Sequence, residues 1–221
     1  MNEKLAILRR MVDICFAVKI ASSYGQWLGK VQLQKFIYLL DVLRPLYEIM
    51  PPLDGHLTYK YGPYDVKIQS AADVLAFRGF LKYHQVTINP QNHVAITYLL
   101  TSDGEKLVSR FTAERAFSSS WEICTRIGFW LNKLGWKRIV DLVYSEPTFV
   151  SIRQKGFGQR IIPYDATKNS AALIMAILDF GLLTGYKRSS INNELMVELF
   201  FQYLDSAEKK YKQTLAANLE E

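Results

Sequence analysis

The order of helical and extended patterns in the first half of the chain limits its fold more than any other feature. Apolar residues recur at the helical spacing of about 3.6 residues over 5–21 and again over 33–43. Residues 56–61 instead combine aromatic and β-branched side chains, which favours a short strand that Gly62-Pro63 closes. A third helix, capped by Asp65, is predicted to follow.

A small antiparallel ribbon is predicted after that helix. Extended runs lie within 80–98, and the capping-box pair Ser102 and Glu105 starts another helix. The first half therefore reads helix, helix, strand, helix, strand, strand, helix. A winged helix-turn-helix has this order, with 66–78 as the recognition helix and 86–98 as the wing.

The second half of the chain is predicted to be helical with two interruptions, one a long loop and the other at Gly185. The loop is predicted over 145–165, and the last helix starts near Asn192. The other helical stretches are 103–115, 120–134, 136–144 and 171–183. We therefore expect a mostly α-helical protein with a small β ribbon. Its winged-helix-like region would span residues 1–118, and a helical region would span residues 119–221.

The positive charge of the chain is concentrated in its second half. The net charge is +6, and residues 126–168 alone hold eight lysines and arginines against three acids, a local charge of +5. Such a segment attracts nucleic acid, an acidic protein or an anionic lipid surface, or it is simply a solvated face. If the chain binds DNA, the candidate residues are Lys67, Arg78, Lys133, Lys137, Arg138, Arg153, Lys155 and Arg160.

Several features favour a cytoplasmic protein that does not enter a membrane. Charged residues interrupt the first turns of the chain, where a secretory signal would be apolar. The longest apolar run, 171–183, is broken by Asp179 and is too short to cross a bilayer. Cys15 and Cys124 lie among apolar residues, which favours two isolated core thiols over a disulfide.

No catalytic or metal-binding pattern stands out in the sequence. His56, His84 and His93 lack the spacing of metal ligands on a shared helix. The segment 155–158 contains two glycines but lacks the ending of a phosphate-binding loop, and it predicts a flexible turn. We expect no cofactor, no metal and no enzyme activity, and an enzyme with an unrecognised site stays an alternative.

Tyrosines around Gly62-Pro63 are better candidates for a functional surface. Tyr59, Tyr61 and Tyr64 surround this turn, and Tyr38 lies on the preceding helix. Tyrosine offers a broad contact area with a polar tip, which suits protein interfaces. Tyr59 and Tyr61 fit a core position as well as an interface, whereas Tyr64 is expected to be exposed.

Three motifs resemble those of one protein family. Residues 33–40 (LQKFIYLL), 61–64 (YGPY) and 98–104 (YLLTSDG) are similar in order and spacing to the motifs of Panacea (SocA-like) and YwgA-like proteins. The resemblance covers about residues 30–110. It implies a winged-helix-like antitoxin or adaptor that neutralises or delivers a partner protein in bacterial and phage-defence settings. The residues that match the family motif positions are Lys35, Tyr38, Gly62, Pro63 and Tyr64.

We therefore expect a non-catalytic protein-interaction subunit, either an antitoxin-like neutraliser or an accessory component of a defence complex, for example beside an SMC-like ATPase. Its partner would be a toxin, a protease or another complex subunit, and the alternative is a winged-helix protein that binds double-stranded DNA. The last helix carries an apolar row that either packs along its own domain or reaches a partner. The candidate partner-binding residues are Lys35, Tyr38, Tyr59, Tyr61, Tyr64, Tyr211 and Leu215.

Overall fold

The computed structural model describes most of the chain. Its described residues are 3–49, 51–52, 55–87, 94–163, 169, 174–176, 179 and 192–217. Within these ranges, the side chains of 86–87, 94–95, 210–212 and 214–217 are not described.

Two helices predicted at the start of the chain are confirmed, but the second is buried far more completely than its pattern suggests. Helix α1 spans Glu3–Ser23, and helix α2 spans Lys30–Leu43 and continues into a 3-10 turn. Every residue from 33 to 43 is buried. Lys35 and Asp41, which the helical spacing leaves outside the apolar face of α2, are also buried, because α2 packs against α1 on one side and helix α5 (Ser118–Ser145) on another.

Two antiparallel sheets lie around α2. Strands β2 (Leu57–Tyr59) and β3 (Gly62–Tyr64) form a hairpin, so Gly62-Pro63 begins a second strand instead of closing the first. The predicted ribbon is confirmed as β4 (Leu81–Thr87) paired with β5 (Val94–Leu100). The short strand β1 (Leu28–Gly29) pairs with the free edge of β5, which gives the order β1-β5-β4.

Short polar side chains start the helices on either side of the ribbon. Helix α3 spans Val66–Phe77, and Asp65 caps it as predicted by accepting a hydrogen bond of 2.8 Å from the backbone of Lys67. Helix α4 spans Ser102–Thr112. Its cap is Thr101, one residue before the predicted Ser102, and the Thr101 hydroxyl accepts from the backbone N–H of Gly104 at 3.1 Å.

The helical second half contains one helix that the sequence did not predict. Helix α5 spans Ser118–Ser145 and is interrupted at Gly135, where φ is 76°. Helix α6 spans Pro147–Arg153, inside the segment predicted as a loop. Proline suits the first turn of a helix, and the Glu146 carboxylate caps this one by accepting from the backbone of Phe149 at 3.0 Å. The last helix, α7, spans Asn193–Ala217. The predicted helix over 171–183 lies mostly outside the described residues.

Buried apolar side chains from both halves of the chain form one cluster. The division into regions 1–118 and 119–221 stays a prediction. Cys15 and Cys124 are free thiols inside this cluster, and burial raises the pKa of Cys15 to about 12. Among the described helices, none combines the length and the apolar character needed to span a bilayer.

Candidate functional site

Two side chains of α2 fasten the β2–β3 hairpin to the centre of the fold. The Gln34 amide donates to the backbone carbonyl of Asp65 at 3.0 Å and accepts from the backbone N–H of the same residue at 2.8 Å. The Lys35 ammonium donates to the carbonyl of Pro63 at 3.0 Å. The Leu-Gln-Lys motif and the Tyr-Gly-Pro motif are therefore in direct contact, and each helps to hold the other in place.

Gly62 is required by its backbone conformation and by its close neighbours. Its φ is +86°, in the left-handed region that favours glycine. A Cβ atom added there would lie 2.7 Å from a ring carbon of Tyr144 and 2.8 Å from the Lys35 ammonium. The hairpin can approach α2 this closely because the residue at this point has no side chain.

The outer side of the hairpin is held by the segment that follows α6. Thr58 donates to the carbonyl of Gly156 at 2.7 Å and accepts from the backbone N–H of Gln159 at 2.9 Å. Backbone hydrogen bonds of 2.8 Å join Thr58 to Gly158 and His56 to Ile161. The glycine-containing segment forms turns, as predicted, and its backbone is hydrogen-bonded to β2.

The hairpin and the start of α2 enclose a pocket of about 160 Å³. Tyr59 and Tyr61 are each 55% exposed, and the ring of Tyr59 lies 5.5 Å from that of the half-buried Tyr64. The two rings that fitted a core equally well are thus on the surface, and Tyr64 is less exposed than expected. The residues that line the pocket are Lys30, Val31, Gln34, Lys35, Tyr59, Tyr61, Gly62, Tyr64 and Gln69.

Lys35 carries a buried charge into this pocket. Its side chain is 2% exposed, and within the described part of the chain no carboxylate lies within ion-pair distance of it. Its closest compensating groups are the Pro63 carbonyl and the ring of Tyr144, whose centroid is 5.9 Å away. Burial lowers the pKa of Lys35 to about 8, so the amine is still mostly protonated at neutral pH.

Tyr38 does not share this surface. Its side chain is fully buried, its hydroxyl donates to Glu146 at 2.6 Å, and its ring meets that of His56 edge-on at 5.2 Å. Burial, together with the negative charge of Glu146, raises the pKa of Tyr38 well above its ordinary value. Tyr38 was expected to contact a partner, but here it joins α2 to the start of α6 and is inaccessible.

A closed network of charges lies elsewhere on α2 and was not predicted from the sequence. Arg10 donates to both oxygens of Asp41, at 3.1 and 2.6 Å, and Arg44 contacts Asp41 at 3.1 Å and Asp13 at 2.6 Å. His56 completes the network with a hydrogen bond of 2.9 Å to Asp41. The signal was a pair of opposite charges three residues apart on each of two apolar helices, 10 with 13 and 41 with 44.

The network is electrostatically balanced. Burial alone would raise the pKa of Asp41, but Arg10, the hydrogen bond from His56, and Arg44 together lower it below its ordinary value. For Asp13, burial outweighs Arg44 and Arg10, and its pKa is raised. All five side chains are at most 4% exposed. This arrangement joins α1, α2 and the segment before β2, and it offers no accessible group for chemistry.

The cations predicted to bind nucleic acid lie on three separate elements. Lys67 and Arg78 are exposed at opposite ends of α3. Arg138 forms ion pairs with Asp205 and Glu208 of α7, and its role in DNA binding stays a prediction. The remaining exposed candidates are Lys133 and Lys137 on α5, and Arg153, Lys155 and Arg160 in or after α6.

Some of the residues singled out in the sequence lie partly or wholly outside the described residues. Tyr211 and Leu215 belong to α7, but their side chains lie outside the described residues. His84 is exposed on β4, whereas His93 lies outside the described residues. Over the part of the chain that the structure describes, no group of three histidine, cysteine, aspartate or glutamate side chains is arranged to hold a metal ion.

Comparison with known proteins adds no assignment. No protein-family model matches the chain, and no curated protein matches it. The resemblance to Panacea and YwgA-like proteins therefore stays a prediction from the three motifs.

Proposed function

We propose that the chain is a non-catalytic protein-interaction subunit, an antitoxin-like or adaptor component of a bacterial toxin-antitoxin or defence complex in the cytoplasm, and that the tyrosine pocket is its binding site. The observation that carries the proposal is the pocket formed by Tyr59, Tyr61 and Tyr64 over Lys35. Interfaces obtain most of their affinity from a few aromatic or charged anchors that are fully desolvated in the complex.

The hairpin suits this role because it is held on both sides. Gln34 and Lys35 fix it to α2, and Thr58 fixes it to the segment after α6. Rigid aromatic side chains lose little conformational entropy on binding, so their buried area converts efficiently into affinity.

Site-specific photo-crosslinking tests the proposal. A photoreactive amino acid replaces Tyr61 in one version of the chain and Tyr83 in another, and both are expressed in the organism that carries the gene. The two positions match in exposure, at 55% and 53%, but Tyr83 lies on β4 and does not line the pocket. We expect one defined protein to crosslink from position 61 and not from position 83. Equal crosslinking from both positions, or none from position 61, would contradict the proposal.

The crosslinked partner is then purified, and its affinity is measured with the double variant Tyr59→Ala, Tyr61→Ala. Loss of aromatic anchors at the centre of an interface costs about 2 kcal/mol or more, which corresponds to about 30-fold in Kd. Tyr83→Ala serves as the exposure-matched control and should leave the affinity unchanged.

Duplex DNA binding is a second candidate, supported by the exposed Lys67 and Arg78 on α3 directly before the β4–β5 ribbon. Each phosphate contact that is lost reduces the slope of log affinity against log salt by about 0.9. Titration of a DNA duplex at two salt concentrations, with the wild type and with Lys67→Ala, Arg78→Ala, tests it. A salt slope that the double variant does not change would reject α3 as the DNA-binding element.

A further inference from the structure

The polar groups around the pocket differ in how fully the protein already uses them. The Gln34 amide is held by the backbone of Asp65, and the Gln69 amide donates to Asp73 at 2.7 Å and to the Tyr98 hydroxyl at 2.8 Å. A lysine ammonium has three N–H donors, and within the described part of the chain Lys35 donates one hydrogen bond, to the carbonyl of Pro63. Lys35 therefore keeps the capacity to bind an acceptor from outside.

The charge around the pocket is positive. Lys30 and Lys35 line it, and the described residues that line it include no carboxylate. Lys60 lies beside the mouth, with its ammonium 5.5 Å from the centroid of the Tyr61 ring. The anchored segment that pairs with β2 adds the exposed cation Lys155. A buried charge is expensive unless an opposite charge compensates it, so an anionic group that reached Lys35 would be favoured.

The size and walls of the pocket restrict that anionic group. Pockets that take whole drug-sized ligands measure about 300–1,000 Å³, and this one measures about 160 Å³, which is enough for a single side chain. Its walls are the rings of Tyr59, Tyr61 and Tyr64 and the side chain of Val31, so they suit methylene groups.

We infer that the pocket binds the glutamate side chain of an acidic partner segment, with the carboxylate paired to Lys35 and the methylene groups between the tyrosine rings. This inference rests on the proposed function and adds the chemistry of the partner to it. The partner main chain stays outside, near Lys60 and the cation of the anchored segment.

Selection from random peptides displayed within a protein scaffold tests the inference, with the folded full chain as bait. We expect enrichment of a glutamate beside an apolar residue, and we expect replacement of that glutamate by glutamine to weaken binding. Synthetic versions of the enriched peptides supply the Kd values. A second library with free C-terminal carboxylates and a third with phosphoserine provide competing anions. Preference for either of those libraries, enrichment of neutral peptides, or no enrichment would overturn the inference.

Substitutions at Val31 test the charge requirement without touching the core. Val31 is 45% exposed and lines the pocket at the first turn of α2, where an acidic residue is tolerated well. We expect Val31→Asp to weaken the enriched glutamate peptide about tenfold relative to the matched neutral variant Val31→Asn. Val31→Lys should bind at least as tightly as Val31→Asn. Equal affinity of all three variants would contradict the inference.

Lys35→Met tests the anchor itself. Removing one member of a desolvated charge pair costs 2–5 kcal/mol, so the peptide should bind about 30-fold more weakly or worse. If Lys35→Met does not fold, the three Val31 variants still test whether the pocket binds a negative charge. A partner that crosslinks from position 61 but whose affinity is insensitive to both substitutions would reject the glutamate and leave the proposed function standing. Absence of any crosslinked partner would reject the proposed function itself.

Discussion

Helix α2 carries buried charges in two regions, and these regions differ in whether the protein supplies an opposite charge. Around Asp41, two arginines and a histidine surround the carboxylates, and the whole network is closed to solvent. The Lys35 ammonium contacts the carbonyl of Pro63 and lies near the ring of Tyr144, and Lys35 lines an open pocket. The charges of the first region are paired with one another inside the protein, whereas the ammonium of the second has capacity left for a ligand.

This difference separates a structural charge from a functional one. A buried ion pair that is fully hydrogen-bonded contributes little net stability, but removing one member leaves the others uncompensated. A buried cation without a counter-charge costs stability in the free protein, and natural proteins often retain such costs at functional sites. The two regions should therefore respond differently to substitution and to pH.

Asp41→Asn should produce the largest effect. It removes the charge that Arg10, Arg44 and His56 share, and it leaves buried cations with one fewer partner. Breaking a buried ion pair in this way costs about 3–5 kcal/mol. Urea unfolding of the wild type and the variant, followed by circular dichroism, measures the change.

Asp73→Asn is the matched control for Asp41→Asn. Asp73 is exposed on α3 and accepts from Gln69 and Tyr83, so the same substitution there should cost about 0.5 kcal/mol or less. Equal losses at the two positions would show that the closed network is not what makes Asp41 sensitive.

Gly62→Ala should have the next largest effect, because it disturbs the contact between the hairpin and Lys35. A Cβ atom at this φ of +86° costs about 1–2 kcal/mol, and overpacking against Tyr144 and Lys35 adds about 1–3 kcal/mol. We expect a loss of about 3 kcal/mol in the free energy of unfolding, together with loss of peptide binding at the pocket.

Gly79→Ala separates the backbone term from the packing term. Gly79 has a φ of +77°, but a Cβ atom there would meet nothing within 4 Å. Its substitution should cost about 1 kcal/mol from backbone strain alone. If both glycines gave the same loss, close approach of the hairpin to Lys35 would not explain Gly62.

The elements that the sequence predicted correctly are those with local signals. Asp65 caps α3 because its side chain reaches a backbone N–H two residues away, and the β4–β5 ribbon is specified by its extended runs. Helix α6 was missed because 145–165 was predicted as a loop, although Pro147 is favoured in the first turn of a helix and Glu146 supplies the cap.

The site was only half predictable for a similar reason. Tyr59, Tyr61, Tyr64 and Lys35 were identified as candidates and line one pocket. Tyr38 was misplaced because the partner of its hydroxyl, Glu146, is 108 residues away in the sequence. Whether a polar residue on an apolar helix is buried depends on distant elements that supply its partners, and periodicity within one helix does not contain that information.

Lys35→Met should change stability less than Asp41→Asn or Gly62→Ala, and its effect should depend on pH. The folded-state pKa of Lys35 is lowered to about 8 from an ordinary value of 10.5. Between these values the unfolded chain holds one more proton, so the stability of the wild type should rise with pH by about 2 kcal/mol from pH 8 to pH 10 relative to the variant. Urea unfolding at intervals of half a pH unit measures this difference.

The sign of this pH dependence shows whether Lys35 differs from the paired charges around Asp41. Among the described residues, the other titratable groups near Lys35 are Lys30, Tyr59, Tyr61, Tyr64 and Tyr144, and all of them are present in both the wild type and the variant. Lys60→Met changes an exposed position beside the mouth of the pocket, so its free energy of unfolding should depend on pH in the same way as that of the wild type. A wild-type curve parallel to that of Lys35→Met would mean that the ammonium is already compensated, and Lys35 would then belong with the closed network around Asp41. A bound glutamate would keep the ammonium protonated, so the affinity of the peptide should fall as the pH rises above about 8.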